Sequence, residues 1–355
     1  MKKEFDLKRL TSSREMSLVI VLVVLCVFIQ FRNNTFLQFG TIEAMLKNYA
    51  VMMIMALGMM CVLLTGGIDI AVGATLAFSG MFSALIMRDY AGVPVIAGFL
   101  ISMLVGTVLG AIIGIVIAKG KVPPIVATLG FTNIYRGCTY LIADSQWVAA
   151  YQIPDAFKEF AQTNYLTGGL LNNMITVTII CYIIFFIALK WTTAGRRVYA
   201  IGSNSEAAAV SGIKIDNVKI AVYSVMGLLS GLGGALWVSL YASAQGDMAT
   251  GLEMDVIAAC VVGGVSLSGG RGTVPGVFLG GLIMAIIGKA LPLIGVSQFW
   301  QSAIKGLIIL FAVILNVITQ RTMDKNALKG REMKFQVNQV ERKLLNSRFP
   351  GSHSS

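Results

Sequence analysis

Asp69 is the only ionisable residue in Thr65-Gly66-Gly67-Ile68-Asp69-Ile70-Ala71-Val72-Gly73, a stretch that interrupts an otherwise continuous apolar run. Three glycines and a carboxylate should break a helix there. Broken helices inside lipid tend to line cavities, because their freed backbone groups need polar partners. Gly66, Gly67, Asp69 and Gly73 are therefore candidates for a translocation pathway, since an ionisable residue at such a position is functional by default. The structural alternative is a helix cap on a tight cytoplasmic turn. A second polar set, Thr128, Thr132, Asn133, Tyr135 and Arg136, lies in another apolar stretch. Thr128, Thr132, Tyr135 and Arg136 fall near one helical face, able to border an aqueous path for a small polar solute. For Arg136 the alternatives are snorkelling to a headgroup or pairing with an acid.

A third set sits in a basic loop, RRVYAIGSNSEAAAVSGIKIDNVK, between Lys190 and Lys219. Ser203 followed by Glu206 at the third position reads as a capping box. Ala207, Ala208 and Ala209 favour helix, and Gly212 can end it in the left-handed conformation. Two turns of capped, small-faced helix between membrane spans read as a plug for a soluble partner.

Conventional catalysis has no support. The chain has one histidine, His353, and no P-loop, so no ATP site, cofactor or catalytic residue is expected in it. Cys26, Cys61, Cys138, Cys181 and Cys260 lack metal-ligand spacing and read as small buried apolar side chains, so no metal is expected. The energy source must lie elsewhere.

These residues need a membrane scaffold. Of 355 residues, 56% are hydrophobic and only 13% charged, about half the charge content of a soluble domain. The mean hydropathy is +0.78. The net charge of +11 sits at the ends and in one loop, which fits membrane orientation rather than nucleic acid. The expected fold is all-α, with about ten spans at 16–31, 48–65, 73–87, 93–118, 124–142, 172–190, 220–243, 255–268, 274–292 and 302–319. The third and eighth are short, and so read as kinked or partly re-entrant.

An even number of spans puts every strongly basic segment on one side. Residues 1–15 carry five Lys or Arg, the 190–219 loop five, and the chain after Thr319 eight. Both termini are thus expected in the cytoplasm, with acidic connections at 143–171 and 244–254 outside. The domains follow as an N-terminal segment 1–15, a membrane domain 16–319 with a cytoplasmic loop at 191–219, and a basic tail 320–355. The first span reads as retained, since no small-x-small cleavage site follows it. In the outer loop, the aromatics of 147–151 with Phe157 and Phe160 suggest a segment lying at the interface. Met333, Val337, Val340 and Leu344 predict an amphipathic helix in the tail.

Glycines recur every four residues at Gly106, Gly110 and Gly114, at Gly227 and Gly231, and at Gly276 and Gly280. Such faces predict close helix packing. Gly263-Gly264-Val265-Ser266-Leu267-Ser268-Gly269-Gly270 echoes the Asp69 stretch, and Gly269 to Gly272 read as a tight inner turn. Pro123 and Pro124 mark the start of the fifth span.

Four stretches in order carry a family resemblance: LTGGIDIAVG at 64–73, KVPPIVATLGFTNIYRG at 121–137, AGRRVYAIGSNSEAAAVSGI at 194–213 and TGLEMDVIAACVVGGVSLSGGRGT at 250–273. From about residue 40 to 320 the chain resembles the permease subunits of sugar-importing ABC transporters, of the ribose, rhamnose and autoinducer-2 class. The resemblance implies a helical permease in the plasma (bacterial inner) membrane and a second permease copy or paralogue beside it. It also implies an extracytoplasmic sugar-binding protein and a cytoplasmic ATPase that uses ATP. It places ATPase docking on Gly202, Asn204, Ala207, Ala208, Ser211, Gly212 and Ile213, with Glu206 in the same helix. The rival reading is an ion-coupled secondary carrier of a small polar solute, for which Asp69 alone offers a coupling site.

Overall fold

The computed structural model describes residues 14–293 except 91, 169 and 170, together with scattered positions between 295 and 314. Met1–Ile309 forms one compact unit and Leu310–Ser355 a second. The predicted tail helix, both termini and most of the 302–319 stretch lie outside the described residues.

The described residues are almost entirely helical. Helices α1 (Arg14–Arg32), α2 (Phe39–Leu64), α3 (Val72–Asp89), α4 (Val95–Ala118) and α5 (Pro124–Ile142) come first. After the short outer helix α6 (Asp155–Gln162) come α7 (Asn173–Trp191), α8 (Thr193–Ser203) and α9 (Ser205–Val210). The series closes with α10 (Ile215–Tyr241), α11 (Leu252–Val262) and α12 (Val274–Leu293). The sole extended pairing among them is an isolated antiparallel bridge between Val148 and Ala244, which ties the 143–171 and 244–254 loops together.

Six of these helices, α1, α2, α4, α7, α10 and α12, are long and apolar enough to cross a membrane. α3 and α5 fill two more of the expected stretches but carry more polar residues. α11 has only 11 residues, so the eighth stretch is a half-helix that ends in the glycine turn after Val262.

α2 is the axle of the unit. Every residue from Ala50 to Thr65 is buried, as befits a helix surrounded by others. It packs against α7, α10, α11 and α12, and Tyr182 donates to the Met53 carbonyl at 3.1 Å. The most extensive contact joins α4 and α10, and the glycine repeats explain it. A Cβ on Gly110 would stand 2.9 Å from the Cα of Gly227 and against the Tyr223 carbonyl, so only glycine permits this approach. Ser102 closes the seam by donating to the Gly231 carbonyl at 2.7 Å. Gly276 and Gly280 meet Gly263 in the same way. Close approach multiplies dispersion contacts, the main attraction between helices in lipid. Away from the seam, α4 exposes Ile96, Leu100, Leu104, Val108 and Ile112 in a lipid-facing stripe.

The 143–171 loop departs from its expectation. Trp147 and Tyr151 are exposed, as interfacial aromatics should be. Phe157 is not: it is fully buried and, with Phe160, packs on Phe99 of α4 at 5.0 and 4.8 Å between ring centroids. α6 is thus a lid packed on the helices, because its two phenylalanines project to one side.

Candidate functional site

The basic 191–219 loop folds as two helices with a sharp bend between them. α8 starts on Thr192, whose hydroxyl accepts from Gly195 N at 3.2 Å. The predicted capping box does not form. Ser203 is the last residue of α8, and Asn204 caps α9 instead, accepting from Ala207 N at 2.9 Å. An amide oxygen at Asn204 serves this role as well as a serine would. The predicted stop is present: Gly212 is left-handed at φ +81°, with Gly212 N donating to Ala209 O at 2.9 Å and Ile213 N to Ala208 O at 3.1 Å. This is a Schellman closure.

The faces of α9 differ from the expectation. Ala208 is buried against the chain itself, while Glu206, Ala207 and Ala209 face outward with Val210, which is 91% exposed. Val210 is the most exposed large apolar side chain among the described residues. Sequence reasoning passed over Val210; its signal was an apolar residue between the alanines and Ser211, on the open side of a two-turn helix.

Gly202, near the end of α8, lies against the Leu64 carbonyl at the end of α2 and within the turn at Gly270. Gly270 N donates to Leu64 O at 2.9 Å. A Cβ on Gly269 would stand 3.1 Å from both the Gly202 Cα and Gly66 N. Three segments far apart in sequence, 64–66, 202–203 and 268–270, therefore clasp backbone to backbone. Tyr199, one turn before Gly202, donates to the Gly272 carbonyl at 2.8 Å. Burial first, then the Cys61 thiol, raises the Tyr199 hydroxyl above its ordinary pKa, so it stays protonated and donating. Gly269, Gly270 and Gly264 are left-handed, as a tight inner turn requires.

From the clasp the Asp69 stretch runs into the core. Asp69 is buried, its Oδ1 accepting from Ala71 N at 2.9 Å. Tyr223 of α10 donates to the Ile68 carbonyl at 3.1 Å, and a Cβ on Gly67 would strike its hydroxyl. At the far end, a Cβ on Gly73 would lie 2.8 Å from both the Ala249 carbonyl and Glu253 Oε2. The 65–73 segment thus links the clasp to the loop before α11.

The polar set on α5 divides. Thr128 is buried and donates to Pro124 O at 2.9 Å; Tyr135 is buried and donates to Leu109 O of α4 at 2.9 Å. Thr132 donates to Thr128 O and is partly covered. Asn133 alone of the set is exposed. Arg136 makes no ion pair with a described acid; its Nη1 donates to the carbonyls of Gly246 and Met248, both at 2.8 Å. It thereby holds the 244–254 loop, which lines a cavity of about 950 Å³ with Trp237, Tyr241, Gln245, Asp247, Thr250 and Asp255.

Among the described residues, no cluster of His, Cys, Asp or Glu could hold a metal ion. Comparisons with known proteins agree on the class. Residues 41–313 match the family described as branched-chain amino acid transport system / permease component. The ribose import permease of Bacillus subtilis is 39% identical over 295 residues, covering 83% of this chain and 90% of that protein. The ribose import permease of Escherichia coli K12 is 35% identical over 308 residues, with 85% and 93% covered. The galactose/methyl galactoside import permease of the same organism is 35% identical over 325 residues, with 86% and 95% covered. No solved structure matches. The family model spans most of the chain, so the chain belongs to this family of membrane permease components.

Proposed function

We propose that the chain carries a monosaccharide through a pathway built from two permease copies or paralogues, with α9 as the seat of a cytoplasmic ATPase. An extracytoplasmic sugar-binding protein would deliver the solute to the outer cavity. The chain is the permease subunit of a sugar ABC importer in the cell membrane, as its family and relatives support. In this reading both termini are cytoplasmic, and α3, α5, the half-helix α11 and the 302–319 stretch complete ten spans.

The observation that carries the mechanism is the clasp at Gly202 with its continuation to Gly73. Motion imposed on α9 passes through α8 into backbone that touches the end of α2 and the 268–270 turn. The 65–73 segment then meets the outer loop at Ala249 and Glu253. Packed backbone without intervening side chains transmits displacement with little slack. Asn133, a polar side chain on the open face of α5, supports that face as part of the pathway, whereas Thr128, Tyr135 and Arg136 hold the pathway's walls.

The ion-coupled alternative lacks support. Asp69 accepts a bond from Ala71 N two residues on, as an Asx turn does, and the relatives are import permeases.

The test is copurification and uptake. Val210→Asp should weaken capture of the ATPase and lower sugar uptake in proteoliposomes, while the chain still inserts. Burying a valine contributes roughly 1.5–3 kcal/mol, so ATPase binding should weaken by about 10- to 100-fold. Normal capture and uptake by that variant would remove α9 from the coupling role.

A further inference from the structure

Beneath the cytoplasmic loop an apolar slot of about 660 Å³ opens between α7 and α10. Its walls include Ile184, Phe185 and Ala188 of α7 and Ala221, Val225 and Leu228 of α10, and Cys61 of α2 lies at its floor. Its mouth is different: Arg197 and Lys214 line it, and both are exposed. Neither cation has a hydrogen bond or ion pair with any described residue. Asp216, the carboxylate nearest to Lys214 in sequence, is held by Lys121 at 2.8 Å.

We propose that this slot binds one anionic phospholipid of the cytoplasmic leaflet, the phosphate between Arg197 and Lys214 and one acyl chain between α7 and α10. Three observations select this occupant. The deep end is apolar, so a polar ligand would leave its groups unsatisfied there. Leu228 lies fourteen residues above Lys214 on α10, about 21 Å of helix, which matches a headgroup plus one leaflet, about 15 Å of hydrocarbon. The two free cations sit at the cytoplasmic end, where clustered Lys and Arg recognise anionic lipid headgroups. A soluble protein could cover the cations but could not fill a slot that runs into the hydrocarbon.

The site has a consequence for coupling. Arg197 is on α8 and Lys214 follows the α9 closure, so a bound phosphate braces both ends of the docking loop against the α10 span. Anionic lipid then becomes a positive effector of transport.

Native mass spectrometry of the full chain tests the proposal, with phosphatidylglycerol and phosphatidylcholine of equal chain length as probes. The parent chain should retain one phosphatidylglycerol in preference to phosphatidylcholine, and millimolar inorganic phosphate should not displace it. Arg197→Gln with Lys214→Gln should weaken phosphatidylglycerol retention by about 30-fold and erase the preference. Ala221→Trp, which fills the slot, should remove that lipid while leaving the cations intact. Equal retention of both lipids by the parent, or undiminished retention by the double variant or by Ala221→Trp, overturns the proposal. So does displacement by inorganic phosphate alone. Loss of ATPase capture with lipid retention unchanged would assign the cations to the ATPase instead. Because lipid retention is read on the chain alone, it can fail or succeed independently of the sugar-import reading.

Discussion

Gly202→Ala is the sharpest perturbation of the clasp. A Cβ there would stand 3.0 Å from the Gly270 Cα and closer still to the Leu64 carbonyl and Gly270 N, all of them backbone. Carbon contacts relax to about 3.5–4.0 Å, so the segments must part by roughly 0.5–1 Å. That opening breaks the 2.9 Å bond from Gly270 N to Leu64 O, worth about 0.5–1.5 kcal/mol, and adds an overpacking cost of about 1–3 kcal/mol. The sum is about 2–4 kcal/mol, concentrated where the loop meets the spans. In proteoliposomes with ATPase and binding protein, ATPase capture should survive, since Val210 is untouched. Sugar uptake should fall at least tenfold and thermal stability in detergent should drop. Gly212→Ala is the comparator: its Cβ would meet nothing within 4 Å, but its φ of +81° makes alanine cost about 1–2 kcal/mol. Uptake and melting of Gly202→Ala within twofold and one degree of the parent would refute the clasp.

Asp69→Asn keeps an oxygen to accept from Ala71 N, so uptake should stay near the parent level, while Asp69→Ala loses that turn bond, about 1 kcal/mol; abolished uptake in the asparagine variant would restore a charge-dependent role. Arg136→Ala strands the Gly246 and Met248 carbonyls and should cost about 2–4 kcal/mol, read as a lower melting temperature with lysine recovering part; an unchanged melt would refute the strut. Two glycine substitutions should differ in sign. Gly110→Ala drives a Cβ into Gly227 and should destabilise, whereas Gly130→Ala meets nothing within 4 Å and should be neutral or stabilise by up to about 1 kcal/mol; equal melts for the pair would contradict the packing argument.

Local signals predicted local features well. The α9 stop at Gly212, the start of α5 at Pro124 and the glycine seams of α4, α10 and α12 follow from dihedral preference and four-residue spacing. These depend on neighbours a turn or so away, so a linear reading reaches them. The cap of α9 was misassigned because serine, asparagine and glutamate within four residues offer competing partners, and the bend after α8 decides among them.

What the chain order alone determined is a helical membrane protein with a basic loop and two glycine breaks, since composition, periodicity and glycine spacing report directly on solvent and backbone. What only the tertiary structure decided is where polar and small residues point. Ala208 turned inward and Val210 outward, Arg136 found carbonyls more than a hundred residues away, and Gly202 met Leu64 and Gly270. Those outcomes depend on helix rotation and on approach between segments distant in sequence, which packing sets globally and no local pattern encodes.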